Sequence, residues 1–442
     1  MLVVALNRAN KDAATAPDPA HANAMIDHLF RSRAGQMVAY MTRLLGPEHL
    51  DLAEEVVQEA LLKALGAWPF TGIPDNPSGW LFRVARNLAI DAVRHRNLAI
   101  QKSEAFAAEQ IRAAAGPTVL NPDAGGDLEE QLRDDELHMV LMCCHPALPP
   151  EARVALSLKT VGGFSTAEIA RAFLVDQTAI AQRIVRAKRQ LRQMGIGFEL
   201  PPAGELAARL DSTLEVLYLM FNEGHTAGSG EELVRQELCG EALRLTRLLA
   251  ASTVSTPRVH ALVALMAFQA ARLEARVDAA DNLVLLEDQD RLLWDQRLIA
   301  LGFHHFYHCS EGSEISTYHI EAAIAATHAG APVGEPPNWQ VILELYDQLL
   351  ALNPSPVVAL NRVAALAKAQ GAGPALEALE KLLERGEFRS LKAYYLLPAV
   401  QGKLLLDVGD KQAAARCFRQ ALALPCSEPE RRLLRRRLME CE

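Results

Sequence analysis

From Met25 to about Asn97 apolar residues return every three or four positions, the period of helices that each bury one face. In "DLAEEVVQEALLKAL" (51–65) the apolar stripe is Val56, Val57, Leu61 and Leu65, behind an acidic leading turn. In "GWLFRVARNLAIDAVRHR" (79–96) it includes Trp80, Leu81, Val84, Leu88 and Ile90. Between them "WPFTGIPDNPSG" (68–79) interrupts the period with Pro and Gly and predicts a loop. Residues 1–24 are polar and predict a flexible tail, and 101–136, rich in Gly, Pro and acids, predicts a flexible acidic linker. A compact helical segment follows over 137–197, and "PPAGE" (201–205) marks the join to a long helical C-terminal half. No alternating strand pattern occurs, so the expected fold class is all-α.

Within the compact segment, "GGFSTAEIARAFLVDQTAIAQRIVRAKRQLR" (162–192) reads as two helices around a tight corner. Ser165 and Glu168 have the spacing of a capping box, and Asp176 is a natural N-cap for the second helix. Ile180, Ile184, Ala187 and Leu191 recur at three and four residues and predict its buried face. The opposite face carries Gln177, Thr178, Gln182 and Arg186, with Arg183, Lys188, Arg189 and Arg192 around it. Hydrogen-bonding side chains near a helix start and cations behind them suit base edges and phosphates, as in a helix-turn-helix. A solvated amphipathic helix ending in bases is the plainer alternative, since its dipole favours those charges.

Composition agrees with packed helices: half the residues are hydrophobic but only 5% are aromatic, and Ala and Leu dominate. Seven scattered cysteines without a CxxC pair indicate neither a disulfide framework nor a zinc site, and fit a reducing cytoplasm. The opening "MLVVALNRANK" has no cationic lead-in to a signal peptide, and no stretch approaches the ~18 uninterrupted apolar residues of a membrane span. The expected protein is cytoplasmic, with no membrane partner. Charge complicates the nucleic-acid reading. The chain carries a net −9, and residues 1–200 hold 21 Lys and Arg against 23 Asp and Glu. Such a surface binds DNA poorly alone, because neutralising phosphates dominates affinity.

The order of these segments resembles the extracytoplasmic-function (ECF) sigma factors of bacterial RNA polymerase. "AEEVVQEALLKAL" is similar to their region 2.2 helix and "WLFRVARNLAIDAVRHR" to regions 2.3–2.4. "LPPEARVALSLKTVGGFSTAEIARAFLVDQTAIAQRIVRAKRQLR" is similar to region 4. The resemblance covers about residues 26–195, and "CCHPALPPEARVAL", "YLMFNEGH" and "LLEDQDRLLWDQ" resemble the group with a helical, tetratricopeptide-containing C-terminal extension. It implies a region 2 domain over 25–100 and a region 4 domain over 137–197, with core RNA polymerase and promoter DNA as partners. Asp51, Glu54, Glu55, Gln58 and Glu59 would dock on the β′ coiled coil, and region 4 would meet the β flap. Trp68, Phe70, Arg83, Arg86, Asn87 and Arg94 would capture the opened −10 strand, Trp68 and Phe70 being candidates to stack on bases and Trp80 a core residue. Gln177, Thr178, Gln182, Arg183, Arg186, Lys188 and Arg189 would read the −35 element. The acidic linker, with Asp127, Glu129, Glu130, Asp134, Asp135 and Glu136, would lie in the polymerase channel in place of nucleic acid, or act as a plain tether. The alternative function is a free-standing helix-turn-helix regulator with a tetratricopeptide sensor.

The C-terminal half is expected as a helical extension over 206–335 and tetratricopeptide-like repeats over 336–442. Gly402, Ala414, Phe418 and Ala421 have the spacing of a tetratricopeptide helix pair, and Tyr346, Leu349 and Pro354 suit the end of another. Ordinary helical hairpins give similar Ala and Leu patterns. Asn222, Glu223, His225, His304, His305, His308, His319, Glu321 and His328 are the residues from which a hydrolase or metal site would be assembled, but no HExxH-like spacing links them. The adjacent Cys143 and Cys144 beside Leu141 and Met142 read as buried residues. No catalytic residue, metal or cofactor is therefore expected, and the extension is read as an interaction surface that regulates the sigma core. "NEGHTAGSGEE" and "EDQDRLLWDQ" are its candidate contacts with the core, or else helix caps and a charged face.

Overall fold

The computed structural model describes residues 19–99, 125–173, 175–225, 232–278, 280, 282–384 and 394–441. Among them the chain is helical throughout, and its strand-like pairing is an isolated bridge between Val277 and Leu283. It divides into two units, Met1–Val216 and Leu217–Glu442. Residues 1–18, linker residues 101–124 and residues 226–231 of the "NEGHTAGSGEE" motif lie outside the described residues.

In the first unit, helices α1 (Pro19–Leu45), α2 (Leu50–Thr71) and α3 (Pro77–Ala99) pack on one another, and α4 (Gly125–Cys143) lies along α1. Their apolar stripes make the core: Met37 and Met41 from α1, Leu52 and Val56 from α2, Leu81 and Phe82 from α3. Tyr40 meets Phe82 edge to face at 5.6 Å. Helix α1 stops at Gly46, whose φ of 88° turns the chain towards α2.

The expected loop 68–79 is shorter than its Pro and Gly content predicts. Helix α2 continues through Pro69 to Thr71 and is closed by the Gly72 N–H donating to the Trp68 carbonyl at 3.0 Å. The cause is Trp68, 1% exposed and packed edge to face on Trp80 at 5.4 Å, which holds the last turn despite the proline. Trp68 is thus a core residue and not a stacking platform, whereas Phe70 is 79% exposed.

The expected linker is likewise part helix. In α4, Leu132, Met139 and Val140 give an apolar face, and Asp135 and Glu136 are buried beside it. Asp135 accepts from Arg43 Nε at 3.0 Å and Glu136 from Gln36 Nε2 at 3.2 Å. Burial pushes the Asp135 carboxyl above its ordinary range, with Arg43 opposing. These two acids are fastened to α1, which removes them from any solvated tether.

Helices α5 (Pro150–Thr160), α6 (Thr166–Ala172) and α7 (Gln177–Met194) form the helix-turn-helix. The Ser165–Glu168 capping box is complete, and Asp176 caps α7 by accepting from the Thr178 N–H at 2.8 Å. Ile180, Ile184, Ala187 and Leu191 are buried as the spacing predicts. The unit extends past residue 206, where the sequence places the extension. Helix α8 (Ala203–His225) begins there, and Arg209 donates to the Leu141 carbonyl at 3.3 Å. Arg153 bridges from the Leu148 carbonyl at 3.0 Å to Glu215 at 3.0 Å, and Ser212 bonds to the Cys144 carbonyl. Cys143 and Cys144 are buried, and burial pushes both thiols up.

The second unit continues with α9 (Glu232–Ala250), α10 (Pro257–Ala270), α11 (Gln296–Cys309), α12 (Thr317–Ala329), α13 (Trp339–Leu352), α14 (Pro356–Gln370), α15 (Ala372–Glu384), α16 (Leu396–Asp407), α17 (Lys411–Leu422) and α18 (Glu428–Met439). Helix α10 is its centre, with Val259 and Ala261 to Phe268 all buried. Helix α11 approaches it at Gly302, where a Cβ would stand 2.5 Å from the Phe268 ring. In the α16–α17 hairpin, Gly402 makes room for the Phe418 ring, and Ala414 and Ala421 are buried beside it.

Because Trp68 closes the α2–α3 corner, Trp68→Ala is expected to cost about 3–5 kcal/mol of stability. Denaturant unfolding followed by circular dichroism measures this; an unchanged midpoint would return Trp68 to the surface.

Candidate nucleic-acid interface

Helix α7 turns its residues about 100° apart. Opposite its buried stripe lie Thr178, Gln182, Arg186 and Arg189, all exposed, with Gln177 exposed at the helix start. Arg183 sits at one edge of that face, half-buried. Gln177 Nε2 donates to Thr166 Oγ1 at 3.3 Å, tying the first helix to the second, and Arg186 Nε donates to the Gln182 carbonyl at 3.2 Å. Beside that face stands Val185, 65% exposed, which the sequence pattern passes over. The signal was available: an apolar residue off the buried stripe, flanked by amides and guanidines.

On α3, Arg83, Asn87 and Arg94 are exposed along one stripe and Arg86 is half-buried to its side. Arg94 pairs with Asp91 at 3.6 Å. Phe70 projects from the end of α2, on the near side of the 72–76 turn. On α2 itself Asp51, Glu55, Gln58 and Glu59 are exposed and Glu54 is half-buried. The same face carries exposed Leu62 and Leu65, of which the sequence assigned Leu65 to the core. The α2 surface is thus acidic at its start and apolar further along.

The remaining residue of the set, Lys188, does not face solvent. It lies at the flank of α7, and its Nζ donates to Asp51 Oδ1 and Glu54 Oε2, both at 2.9 Å. The Lys188 side chain is 10% exposed and that of Glu54 13%. One turn further, Arg192 Nη2 donates to Asp51 Oδ2 at 3.0 Å, and Thr160 Oγ1 donates to Glu54 Oε1 at 3.3 Å. Burial alone would lower the Lys188 ammonium's pKa, but Glu54 and Asp51 outweigh it and hold it above its ordinary value. Asp51 is partly desolvated, yet Lys188 and Arg192 hold its carboxyl below the usual range. Sequence reading placed Lys188 on DNA and Asp51 and Glu54 on a protein partner; the structure brings the three together.

In the second unit, Asp290 of "EDQDRLLWDQ" caps a short helical turn and Asp295 caps α11, accepting from the Leu292 and Arg297 N–H groups at 2.9 and 2.8 Å. Trp294 is buried and Arg291 donates to the Ala331 carbonyl at 2.6 Å. The motif also borders a cavity of about 490 Å³ with His328, Trp339 and Lys368. His260 and His305 are joined by a hydrogen bond between Nδ1 atoms 2.8 Å apart, with the His304 and His308 rings close by. Burial and the neighbouring histidines pull His305 down to about 4. His225 is buried, and burial with Arg276 and Arg272 depresses it to about 2. Tyr218 donates to Glu321 at 2.9 Å. Among the described residues no group of His, Cys, Asp and Glu has the arrangement of a metal site, and no helix is long and apolar enough to cross a membrane.

Comparison with known proteins agrees with this arrangement. The family model described as Sigma-70 region 2 matches residues 29–98 and that of Sigma-70, region 4 matches 138–191. A Family of unknown function (DUF6596) matches 209–310. An uncharacterized protein of Rhizobium meliloti is 40% identical over 395 residues, 88% of this chain and 90% of its own length. The ECF RNA polymerase sigma factor SigL of Mycobacterium tuberculosis is 30% identical over 173 residues, 38% of this chain and 88% of its own. SigE of Mycolicibacterium smegmatis is 31% identical over 170 residues, where the match spans 38% of this chain and 60% of SigE. No solved structure matches. A region 2 bundle followed by a region 4 helix-turn-helix defines a sigma factor of transcription initiation. The chain belongs to the ECF family of RNA polymerase sigma factors and carries a C-terminal extension.

The half-buried Glu321 makes the second unit sensitive to pH. Burial raises its carboxyl from 4.5 to about 7, with the Tyr218 hydrogen bond partly opposing. Its folded form therefore holds a proton that the unfolded chain has already released, so stability falls as pH rises from about 4.5 to about 7. Glu321→Gln is expected to flatten that decline, a gain of up to about 3 kcal/mol near pH 8. Thermal unfolding of both proteins from pH 5 to pH 8 reads it; parallel curves would refute it.

Proposed function

We propose that this chain binds core RNA polymerase in the cytoplasm and directs initiation at specific promoters, with residues 25–100 acting on the −10 element and residues 137–197 on the −35 element. The observation that carries this reading is the pairing of two opposite faces in one unit: an acidic, partly apolar face on α2 and an amide- and guanidine-bearing face on α7. Asp51, Glu54, Glu55, Gln58 and Glu59 dock on the β′ coiled coil, with Leu62 and Leu65 supplying apolar area beside them. Region 4 meets the β flap and presents α7 to the major groove.

Gln177, Thr178, Gln182 and Arg186 read base edges, Val185 meets a thymine methyl, and Arg183 and Arg189 hold phosphates. Lys188 joins them only once released from Asp51 and Glu54. On the −10 side Arg83, Arg86, Asn87 and Arg94 hold the separated strand, and Phe70 alone of the two aromatic candidates stacks on a base. The chain's net negative charge suits this division of labour, because the polymerase provides the positive channel that the chain lacks. The extension regulates the sigma core, and its hairpin of Gly402 under Phe418 supports a tetratricopeptide-like reading of its end.

The full-length chain is expected to co-elute with core polymerase lacking any sigma. Glu55→Lys should abolish co-elution, while Gln182→Ala and Arg186→Ala should each lower promoter-specific transcription by a factor corresponding to about 1–3 kcal/mol without loss of polymerase binding. Sequence-specific binding of duplex DNA by the chain alone, with no polymerase complex, would make it a free-standing regulator instead.

A further inference from the structure

The second unit ends in a segment whose charge opposes that of the chain. Residues 411–437 carry eight Lys and Arg against two Asp and Glu, where the whole chain carries 45 against 54. They lie on α17 and α18, which pack on one another. Helix α17 buries Ala414, Ala415, Phe418 and Ala421, and its opposite face presents Gln412, Arg416, Arg419 and Gln420 to solvent. On α18 Leu434 is buried, and Arg435 and Arg436 are exposed.

The other arginines of α18 have structural work. Arg431 Nη1 donates to the Leu422 carbonyl at 3.2 Å, at the end of α17, and Arg432 Nη1 to the Ala280 carbonyl at 3.1 Å. Arg437 pairs with Glu440 at 2.9 Å. The two carboxylates of the segment are committed as well. Glu430 accepts from the Ser427 N–H at 2.7 Å in the capping box of α18, and Glu428 meets Arg431 at 3.7 Å and Arg435 at 3.3 Å. The Arg435–Glu428 pair is exposed on both sides, and such pairs are weak and easily exchanged. Among the described residues Arg416 and Arg419 have no carboxylate partner. Three residues apart, they are neighbours on the helix surface.

We propose that α17 and α18 form a second nucleic-acid surface, on which Arg416, Arg419, Arg435 and Arg436 each neutralise a phosphate of duplex DNA and Gln412 and Gln420 donate beside them. The contact is independent of sequence, because guanidines and amides on the backbone position a duplex without reading it. An acidic protein is the poorer fit. The exposed face of α17 holds no large apolar residue, whereas the centre of a protein interface is apolar and depleted in charge. The inference rests on the sigma-factor reading for which DNA the surface meets, the promoter held by region 4. Joined by one chain to the helix that reads bases, a contact weak on its own is made at high local DNA concentration.

The experiment is the salt dependence of binding between the full chain and a fluorescein-labelled duplex of arbitrary sequence, followed by fluorescence anisotropy, beside co-elution with core polymerase. The logarithm of affinity falls with the logarithm of salt by about 0.9 for each phosphate neutralised. Arg416→Gln with Arg419→Gln should make the slope shallower by about 1.8, Arg435→Gln with Arg436→Gln by about the same, and all four by about 3.6. Lysine at the same four positions should keep the wild-type slope, which separates lost charge from lost packing. Co-elution with polymerase should be unchanged throughout. No binding by the wild type at low salt, or an unchanged slope in the glutamine variants, would overturn the surface. Loss of co-elution with an unchanged slope would overturn it too and assign α17 and α18 to an acidic protein. If the wild type forms no polymerase complex while the slopes change as expected, the phosphate surface stands and the sigma-factor reading fails.

Discussion

The absence of a side chain at Gly35 sets the geometry of the first unit. Any larger residue would strike the Val161 backbone, and Val161 closes the helix that the recognition helix packs on. The approach of α1 to α5 brings Thr160 and the flank of α7 alongside the first turns of α2. Helix α4 is fastened to α1 as well, since its Asp135 and Glu136 are held by Arg43 and Gln36. The region 2 and region 4 helices consequently meet backbone to backbone at Gly35 and Val161.

Much of this fold was legible in the sequence, because helices that bury one face announce it by period. The Ile180, Ile184, Ala187 and Leu191 stripe, the Ser165–Glu168 box and the Asp176 cap are local signals and appear where the spacing puts them. The failures share one cause. Trp68–Pro69 read as loop and Asp135–Glu136 as linker, because composition was weighed without the partners that override it: Trp80 for the first, Arg43 and Gln36 for the second. The boundary near residue 206 shifted for the same reason, since Arg209 and Ser212 find their partners in carbonyls more than sixty residues away.

The candidate site was legible by face and illegible by pairing. Helical phase separates the exposed Thr178, Gln182, Arg186 and Arg189 from the buried stripe, and it even contains Val185, had apolar residues off the stripe been given weight. Phase also puts Lys188 at the edge of the helix, where either solvent or a neighbour satisfies it. Nothing in one dimension says that the neighbour is Asp51, and both partners looked like surface charges awaiting a macromolecule. Gly35 was invisible for a parallel reason: a glycine inside a helix reads as a weakness until the backbone it admits is known.

The Lys188 contact specifies an arrangement more than it stabilises one. Lys188 and Glu54 are almost withdrawn from water, so their attraction is set against a desolvation cost that largely cancels it. Such a pair contributes little net stability while intact, yet stripping one partner away leaves a poorly hydrated charge behind.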